Sequence, residues 1–399
     1  MIAHMGAQGG APVMTLIGVL ALPLLIWKRP KISLDFLVFC AFLLWIVITV
    51  TWADNHGNPL VEFDLSTGVI AVKSAGLRIV LSALIFAYAF WALSQLKAER
   101  YNRAVWAGRI GLGIQALLMV GWVFAFSALE AYGRSQTDEA SMYQNMMRVV
   151  NISVLMVPLL VALLPVRNVW VKAAAFVLCM VGLFIIARRP VLDVSAAILA
   201  IPAVSLMVGL SFILKQHIYR LLGYGTAALI LLMPAFIALL SRVAGDGASL
   251  PASFKSRIDS YQYVFARIQE KFLFGWGVGT TAGWDETTRV AAPDGTIVDY
   301  PIVPGHPHNG GLHVWAETGL IGALLLAAFA ILLGERLART SNKNTDVIMS
   351  ATGIWTGALI LASLSYSLWN DAFWGAIVLC ASCTMAISRS TQMKTQKLP

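Results

Sequence analysis

The sequence predicts an all-α polytopic membrane protein, and both its composition and its hydropathy pattern indicate this class. Of its 399 residues, 58% are hydrophobic and only 12% are charged, which leaves more apolar surface than a soluble domain can bury. About eleven apolar runs, or twelve if one is split, lie near the ~20 residues that a helix needs to cross a bilayer. They occupy 12–27, 33–51, 75–96, 104–128, 148–165, 169–187, 191–214, 221–243, 309–334, 347–368 and 371–388.

The distribution of charge among the connections predicts their orientation. Six basic stretches are separated by even numbers of spans, so they lie on one side: 28–31, 96–103, 167–172, 215–220, 335–344 and the C-terminal tail. The positive-inside rule makes that side cytoplasmic, and most acidic residues fall in the alternate connections. The N-terminus and the long loop are therefore expected outside. The net charge of +9 then reflects cytoplasmic loops, and no nucleic-acid partner is expected.

Three regions follow from this pattern: an N-terminal transmembrane bundle at 1–243, a loop domain at 244–308 and C-terminal transmembrane helices at 309–399. Within the loop, SFKSRIDSYQYVFARIQEKF at 253–272 has apolar residues at helical spacing, which predicts an amphipathic helix on the membrane surface or over the bundle. Tyr261 lies in the apolar stripe, Arg257 at its edge, and Arg267 points away. The glycines of FGWGVGTTAGW, at 274–284, allow a tight irregular path.

Two arginines at the outer end of a central span oppose the positive-inside bias. Arg188 and Arg189 lie between two apolar runs in IIARRPVLDVSAA. One interpretation is structural, through an ion pair with Asp193 or through snorkelling to lipid headgroups. The other is an anionic ligand bound from the outer leaflet, and this feature alone favours neither.

Three of the six histidines lie within eight residues, where the loop gives way to a span that carries Glu317. His306, His308 and His313 are conceivable metal ligands, although Pro307 separates the first two and no close Asp or Cys completes the set. A histidine-rich headgroup loop is the plain alternative. The third interpretation is a general base, because an imidazole pKa near 6.5 suits proton transfer at neutral pH.

The cysteines offer a second candidate metal or redox site. Cys380 and Cys383 form a C-x-x-C inside an apolar run, without partner ligands nearby. Small core residues are the better interpretation, and all four cysteines lie in apolar runs, so no disulfide framework is expected.

PHNGGLHVWAETGLIG at 307–322 resembles the "HN-x-x-L-x-x-x-AE-x-GLIG" signature of the O-antigen ligase and polymerase family. The segment at 253–279 resembles the family's Arg-bearing amphipathic helix with its glycine turn, and ARRPVL at 187–192 resembles its Ser-Arg-Gly-x-Trp element. The resemblance covers about residues 180–325. Here Ala187 or Arg188 replaces the usual Ser, Pro190 replaces the Gly and His313 replaces a Gln, which leaves Arg188 or Arg189 as the matching arginine.

The resemblance implies a fold like that of the C-type glycosyltransferases, in the bacterial inner membrane, with an active site that faces the periplasm. It implies transfer of O-antigen polysaccharide from undecaprenyl pyrophosphate to lipid A–core, with membrane lipids as surroundings and no metal or other cofactor. The implied catalytic residues are His308 as general base and Arg257 and Arg189 as pyrophosphate ligands. The implied substrate-binding residues are Arg188, Asn309, His313 and Tyr261. Glu317 is expected to orient His313 or to cap the packing at Gly319 and Gly322.

Three other functions stay open. A repeat-unit polymerase and a protein O-oligosaccharyl ligase share the donor chemistry of the same family. The ligase is favoured because the other outer loops, at 52–74 and 129–147, are short. A transporter would belong to a different class, but transporters place ionisable residues near the bilayer midplane, often in repeats. Here those residues cluster at the outer interface.

Overall fold

The fold is built from long apolar helices with one irregular loop region between the tenth and twelfth. A computed structural model describes residues 9–54, 59–64, 69–136, 138–192, 194–244, 252–291, 296–340 and 344–396. In chain order the helices are α1 (Gly10–Leu20), α2 (Leu24–Trp27), α3 (Leu34–Thr49), α4 (Ala75–Ser94), α5 (Ala98–Phe124), α6 (Phe126–Gln136), α7 (Glu139–Leu163), α8 (Val169–Ala187), α9 (Ser195–Leu214), α10 (Ile218–Ala244), α11 (Ala252–Glu270), α12 (Gly310–Thr340), α13 (Thr345–Leu364) and α14 (Asp371–Gln396).

The helices confirm the predicted class of multi-pass, all-α membrane protein. Among the described residues, eight helical stretches are long and apolar enough to cross a membrane. One of them, Ser195–Arg242, is 48 residues long and contains both α9 and α10, which a short 3-10 turn joins. Two further apolar helices, α1 and α3, are shorter. Each of the eleven apolar runs found in the sequence overlaps an α-helix.

Helix α7 begins nine residues before the apolar run that predicts it at 148. The Asp138 side chain caps its first turn by accepting the Ser141 N–H at 2.9 Å. A side-chain oxygen at this position satisfies a donor that has no partner within the helix. The leading turns are polar, so hydropathy does not detect them, and Arg148 lies within the helix instead of at its start.

Two short antiparallel hairpins lie in connections that hydropathy treats as plain loops. The first pairs β1 (Val61–Asp64) with β2 (Val69–Val72), and Val61 lies opposite Val72. The second pairs β3 (Thr287–Ala291) with β4 (Ile297–Pro301). Their β-branched residues favour strands, but runs this short give little periodic signal.

Glycines allow the closest helix crossings. The most extensive contact is between α10 and α12, where a Cβ on Gly223 would lie 2.7 Å from the Ala330 carbonyl oxygen, and Gly334 packs against the Tyr219 carbonyl. Helices α1 and α14 cross in the same way through Gly10 and Gly375. Small residues are typical of such interfaces in lipid, because close backbone approach supplies the packing energy there.

Three ion pairs join the helix ends at the predicted basic side. Lys172 pairs with Asp346 at 2.6 Å, Arg336 with Asp35 at 2.8 Å, and Arg220 with Glu335 at 3.2 Å. Three of the basic stretches predicted to share a side, 167–172, 215–220 and 335–344, contribute residues to these pairs, which agrees with the predicted alternation of connections.

Helix α12 is broken at Gly319, which has φ +63° and ψ −166°. The loop segment 272–277 fills the break. The Trp276 N–H donates to the Ala316 carbonyl at 2.8 Å, and the Gly277 N–H to the Glu317 carbonyl at 2.9 Å. On the far side of the break, the Leu320 N–H donates to the Phe272 carbonyl at 2.9 Å. The backbone groups that the break leaves without helical partners are thus hydrogen-bonded, as they must be where no water is available inside a membrane.

We predict that Gly319→Ala lowers the stability of the purified protein by about 1–3 kcal/mol or more, because this backbone region is nearly restricted to glycine. The new Cβ would also overlap the Leu273 carbonyl and push segment 272–277 out of the break. Thermal unfolding in detergent measures the effect. The matched control is Gly209→Ala on α9, where a Cβ meets nothing within 4 Å. Equal melting temperatures for the two variants would contradict the prediction.

Candidate active site

Helix α11 packs on α10 and α12 through a buried stripe, in agreement with the predicted amphipathic helix. Val264 and Ile268 are the most buried residues of that stripe. Arg267 donates to the Glu286 carboxylate at 2.7 Å, and its guanidinium lies 5.1 Å from the ring of Trp276 and 5.6 Å from that of Trp284. Arg267 is therefore half-buried and packs against the loop, although the sequence predicts that it points away from the apolar stripe.

The three histidines form a compact cluster at the start of α12. The ring centroids of His306 and His308 lie 4.1 Å apart, and those of His306 and His313 lie 5.9 Å apart with nearly parallel planes. His308 adopts φ +49°, a left-handed conformation that is uncommon outside glycine. Its N–H donates to Nδ1 of His306 at 3.1 Å, which helps to hold that backbone shape.

The surroundings favour the neutral form of the His308 imidazole. Burial lowers its pKa from 6.5, and the Arg257 guanidinium lowers it further, while the backbone of Ser365 acts in the opposite direction. A neutral imidazole has one ring nitrogen that accepts a proton, which is the state that a general base requires. The pKa of His306 is lowered to about 2, mainly by burial.

Arg257 lies beside this cluster. It is half-buried on α11, and its charge acts on both His308 and Tyr261. The Tyr261 hydroxyl donates to the His308 carbonyl at 3.4 Å, and burial raises the pKa of this phenol. The structure therefore brings together three residues that the sequence selects separately: Arg257, Tyr261 and His308.

Asn309 and His313 face inward from the first turn of α12. Asn309 is the helix cap: its side-chain oxygen accepts the Leu312 N–H at 3.0 Å, and its amide approaches the sulfur of Met233 at 3.4 Å. Both polar ends of Asn309 are thus engaged within the protein. His313 is 2% exposed, and its Nε2 lies 3.4 Å from both Thr281 Oγ1 and Glu317 Oε1.

Glu317 is fully buried and joins three parts of the chain. Its carboxylate accepts the Gly279 N–H at 2.7 Å, the Thr281 N–H at 2.9 Å and the Thr281 hydroxyl at 2.5 Å. It also accepts the indole N–H of Trp369. A buried carboxylate is tolerated where donors satisfy it in this way. The residue therefore contacts His313, as the sequence suggests, and also fixes the loop and the α13–α14 linker, which the sequence does not reveal.

Arg188 and Arg189 lie elsewhere, at the end of α8. Arg188 is exposed. Arg189 donates to the Val123 carbonyl at 3.1 Å, and its guanidinium lies 5.0 Å from the ring of Phe126. Within the described residues, no hydrogen bond or ion pair joins either arginine to His308 or Arg257. The predicted ion pair to Asp193 lies outside the described residues, and a phosphate-binding role for these arginines stays a prediction.

A cavity of about 1020 Å³ opens beside the histidine cluster and is lined by Gly305, His313, Glu317 and Trp369. Two arginines that the sequence analysis missed also line it: Arg78 on α4 and Arg148 on α7. Both lie on the predicted outer side, so the charge rule that singled out Arg188 and Arg189 would also have found them.

The described residues contain no group of three or more His, Cys, Asp or Glu side chains arranged to hold a metal ion. In the histidine cluster, Nδ1 of His306 accepts the N–H of His308. Cys380 and Cys383 are free thiols on α14, and Cys380 is buried.

The fold and this cluster define a multi-pass membrane protein with a polar, partly buried site at one end of its helix bundle. Residues 152–327 match the family model described as O-antigen ligase, which confirms the resemblance over that segment. Arg189, Arg257 and His308 all fall inside it. A Rickettsia conorii protein provisionally described as a polysaccharide ligase is 28% identical over 120 residues, which cover 29% of this chain and 27% of that protein. No solved structure matches the chain.

We predict that His308 is still neutral at pH 6.5, because burial and Arg257 both lower its pKa below that value. Diethyl pyrocarbonate acylates only the neutral imidazole, so the pH midpoint of His308 modification, mapped by mass spectrometry, reports this pKa. Arg257→Gln removes the nearby positive charge and moves the midpoint to higher pH. His217, exposed in the turn between α9 and α10, is the internal reference. A wild-type midpoint at or above 6.5 would refute the assignment.

We also expect Glu317→Gln to destabilise the protein, because an amide NH₂ would face N–H donors that now contact the carboxylate. Each buried group left without its partner costs about 1–3 kcal/mol. Thermal unfolding measures the loss. Glu335→Gln is the matched control, because its partly exposed pair with Arg220 contributes at most about 1 kcal/mol. The expectation fails if both substitutions shift the melting temperature equally.

Proposed function

We propose that this protein is a lipid-linked polysaccharide ligase, which transfers O-antigen polysaccharide from undecaprenyl pyrophosphate to lipid A–core. In this proposal the reaction takes place on the periplasmic side of the bacterial inner membrane. The observation that carries the proposal is that the Arg257 guanidinium is close enough to the His308 imidazole to lower its pKa, inside the segment that matches the O-antigen ligase family.

The proposed chemistry is a displacement at the anomeric carbon of the donor. His308 accepts the proton of the acceptor hydroxyl through its unprotonated ring nitrogen while that oxygen attacks C1. The bond from C1 to the pyrophosphate oxygen breaks, and the diphosphate leaves with the electron pair. Attack opposite the leaving group inverts the configuration at C1. A base held in its neutral form and a fixed cation supply what this transition state needs.

Arg257 is proposed to bind the departing diphosphate. A guanidinium presents several donors in one plane and stays protonated, so it suits a phosphate without a metal ion. Arg189 is proposed as a second ligand, with Arg188 as the alternative, on the strength of the family resemblance at 187–192. Because Arg189 packs against Val123 and Phe126, it would act from the α5–α6 side of the bundle.

The substrate-side residues extend this arrangement. His313 is proposed to face the substrate from the cavity wall, which it lines. Tyr261 and Asn309 are proposed to position the His308 backbone and the start of α12, because their polar atoms are engaged there. The region 244–308 is proposed as the loop domain that seats the donor between the bundles 1–243 and 309–399.

The second candidate within the family is a repeat-unit polymerase, and a protein O-oligosaccharyl ligase is the third. All three release the same diphosphate, so the donor site would be unchanged. The ligase is preferred because the other connections on the predicted outer side form only short elements, β1–β2 and α6, within the described residues.

Transfer by purified protein, supplied with lipid-linked polysaccharide and lipid A–core, tests the proposal. We expect His308→Ala and Arg257→Gln each to reduce kcat by about 10²–10⁴-fold, because a general base and a charge-stabilising group contribute this much. Arg289→Gln is the charge-matched control, since this residue is exposed on β3 and its ion pair with Asp299 is 3.9 Å long.

A shift of the acceptor to a larger conjugate on a gel is the readout. Full activity in His308→Ala would sink the assignment of the base, and elongation of the donor without any acceptor would favour the polymerase. Arg189→Gln and Arg188→Gln are scored in the same assay, and an unchanged rate removes that arginine from the phosphate site.

A further inference from the structure

The cavity beside the histidine cluster has its own pair of cations, distinct from Arg257. Arg78 comes from the first turn of α4 and Arg148 from α7, so two separate helices bring positive charge to the same space. Bringing charged side chains to the end of a membrane bundle is costly, and such residues are commonly functional.

Neither guanidinium forms an ion pair with a carboxylate that the structure describes. Within the described residues, Arg78 has no side-chain hydrogen bond or ion pair. Arg148 makes one long contact, from Nη1 to the side-chain oxygen of Asn145 at 3.4 Å. At the opposite end of the bundle, by contrast, Arg336 is paired with Asp35 and Lys172 with Asp346.

The carboxylates of the cavity are already occupied. Glu317 accepts hydrogen bonds from Gly279, Thr281 and Trp369. Asp371 lies at the first turn of α14, where its Oδ1 accepts the Ala372 N–H at 3.0 Å, and the positive end of the helix dipole offsets its charge. Within the described residues, no ion pair joins either carboxylate to Arg78 or Arg148.

Part of the cavity wall is apolar. Pro12, Leu16 and Val19 lie on one face of α1 and line it, and Leu16 is 58% exposed. Two guanidinium groups and an aliphatic helix face that line the same cavity match an amphiphile with an anionic head.

The cavity also adjoins the proposed base. The Tyr366 hydroxyl contacts the Arg148 carbonyl at 3.5 Å, and the backbone of the preceding residue, Ser365, acts to raise the pKa of the His308 imidazole. One short linker between α13 and α14 therefore lies against the backbone of Arg148 and beside the His308 imidazole.

From this arrangement we propose that Arg78 and Arg148 form a second phosphate-binding site, which holds a phosphate-bearing lipid substrate with its hydrocarbon chain along the Leu16 face of α1. The proposal rests on the proposed function for the identity of that substrate. The phosphate belongs either to the glycolipid acceptor or to the polyprenyl donor, and the two sources share the same chemistry at the site.

Direct binding to purified protein in a neutral detergent tests the site without any turnover. The probes are diphosphoryl lipid A, undecaprenyl phosphate and, as the uncharged match, undecaprenol. We expect the double variant Arg78→Gln with Arg148→Gln to lower the affinity for a phosphate-bearing probe by at least about tenfold, because a charge-assisted hydrogen bond contributes about that factor. Undecaprenol binding stays unchanged, and Lys at both positions restores part of the loss.

Arg289→Gln again serves as the control for loss of one exposed charge. The single variant Arg78→Gln separates loss of binding from misfolding, because Arg78 is exposed and its replacement should leave the fold intact. A loss confined to lipid A assigns the site to the acceptor, and a loss confined to undecaprenyl phosphate assigns it to the donor. Unchanged affinity for both probes, or an equal loss for undecaprenol, overturns the site. Wild-type protein that binds the probes but transfers nothing contradicts only the proposed ligase activity.

Discussion

The break in α12 is the feature on which the rest of the site depends. A helix interrupted at Gly319 exposes carbonyls and N–H groups that lipid cannot satisfy, and segment 272–277 supplies their partners. The same docking brings Gly279 and Thr281 to the buried carboxylate of Glu317. Backbone hydrogen bonding therefore anchors the irregular loop to the bundle, and the loop in turn sets the position of α11 with Arg257.

One positive charge can serve two purposes at this site. Near His308, the Arg257 guanidinium makes protonation of the imidazole less favourable, since two positive charges repel in a medium of low dielectric constant. The same guanidinium is suited to an arriving diphosphate. A bound diphosphate would neutralise Arg257 and make His308 more basic, so that the base gains strength only when the leaving group is in place.

The two ends of the bundle treat their charges differently. At the predicted basic end, cations such as Lys172 and Arg336 are paired with carboxylates at 2.6 and 2.8 Å, which lowers the cost of holding charge close to lipid. At the other end, Arg78 and Arg148 line a large cavity. Glu317 lines the same cavity, but its carboxylate accepts hydrogen bonds from within the protein. Among the residues that the structure describes, these two cations have no carboxylate partner, which supports the proposed site for an anionic lipid.

The sequence by itself determined the class of protein and most of its spans, because lipid imposes long apolar runs, and its local motifs singled out Arg257 and His308 as candidates. It did not determine the start of α7, because the first turns of this helix are polar and precede the apolar run. Only the tertiary structure decided that Glu317 binds Thr281, 36 residues away, and that Arg189 packs on Phe126. Such contacts depend on how separate helices pack and on where a broken helix accepts a loop, and neither is encoded in local periodicity.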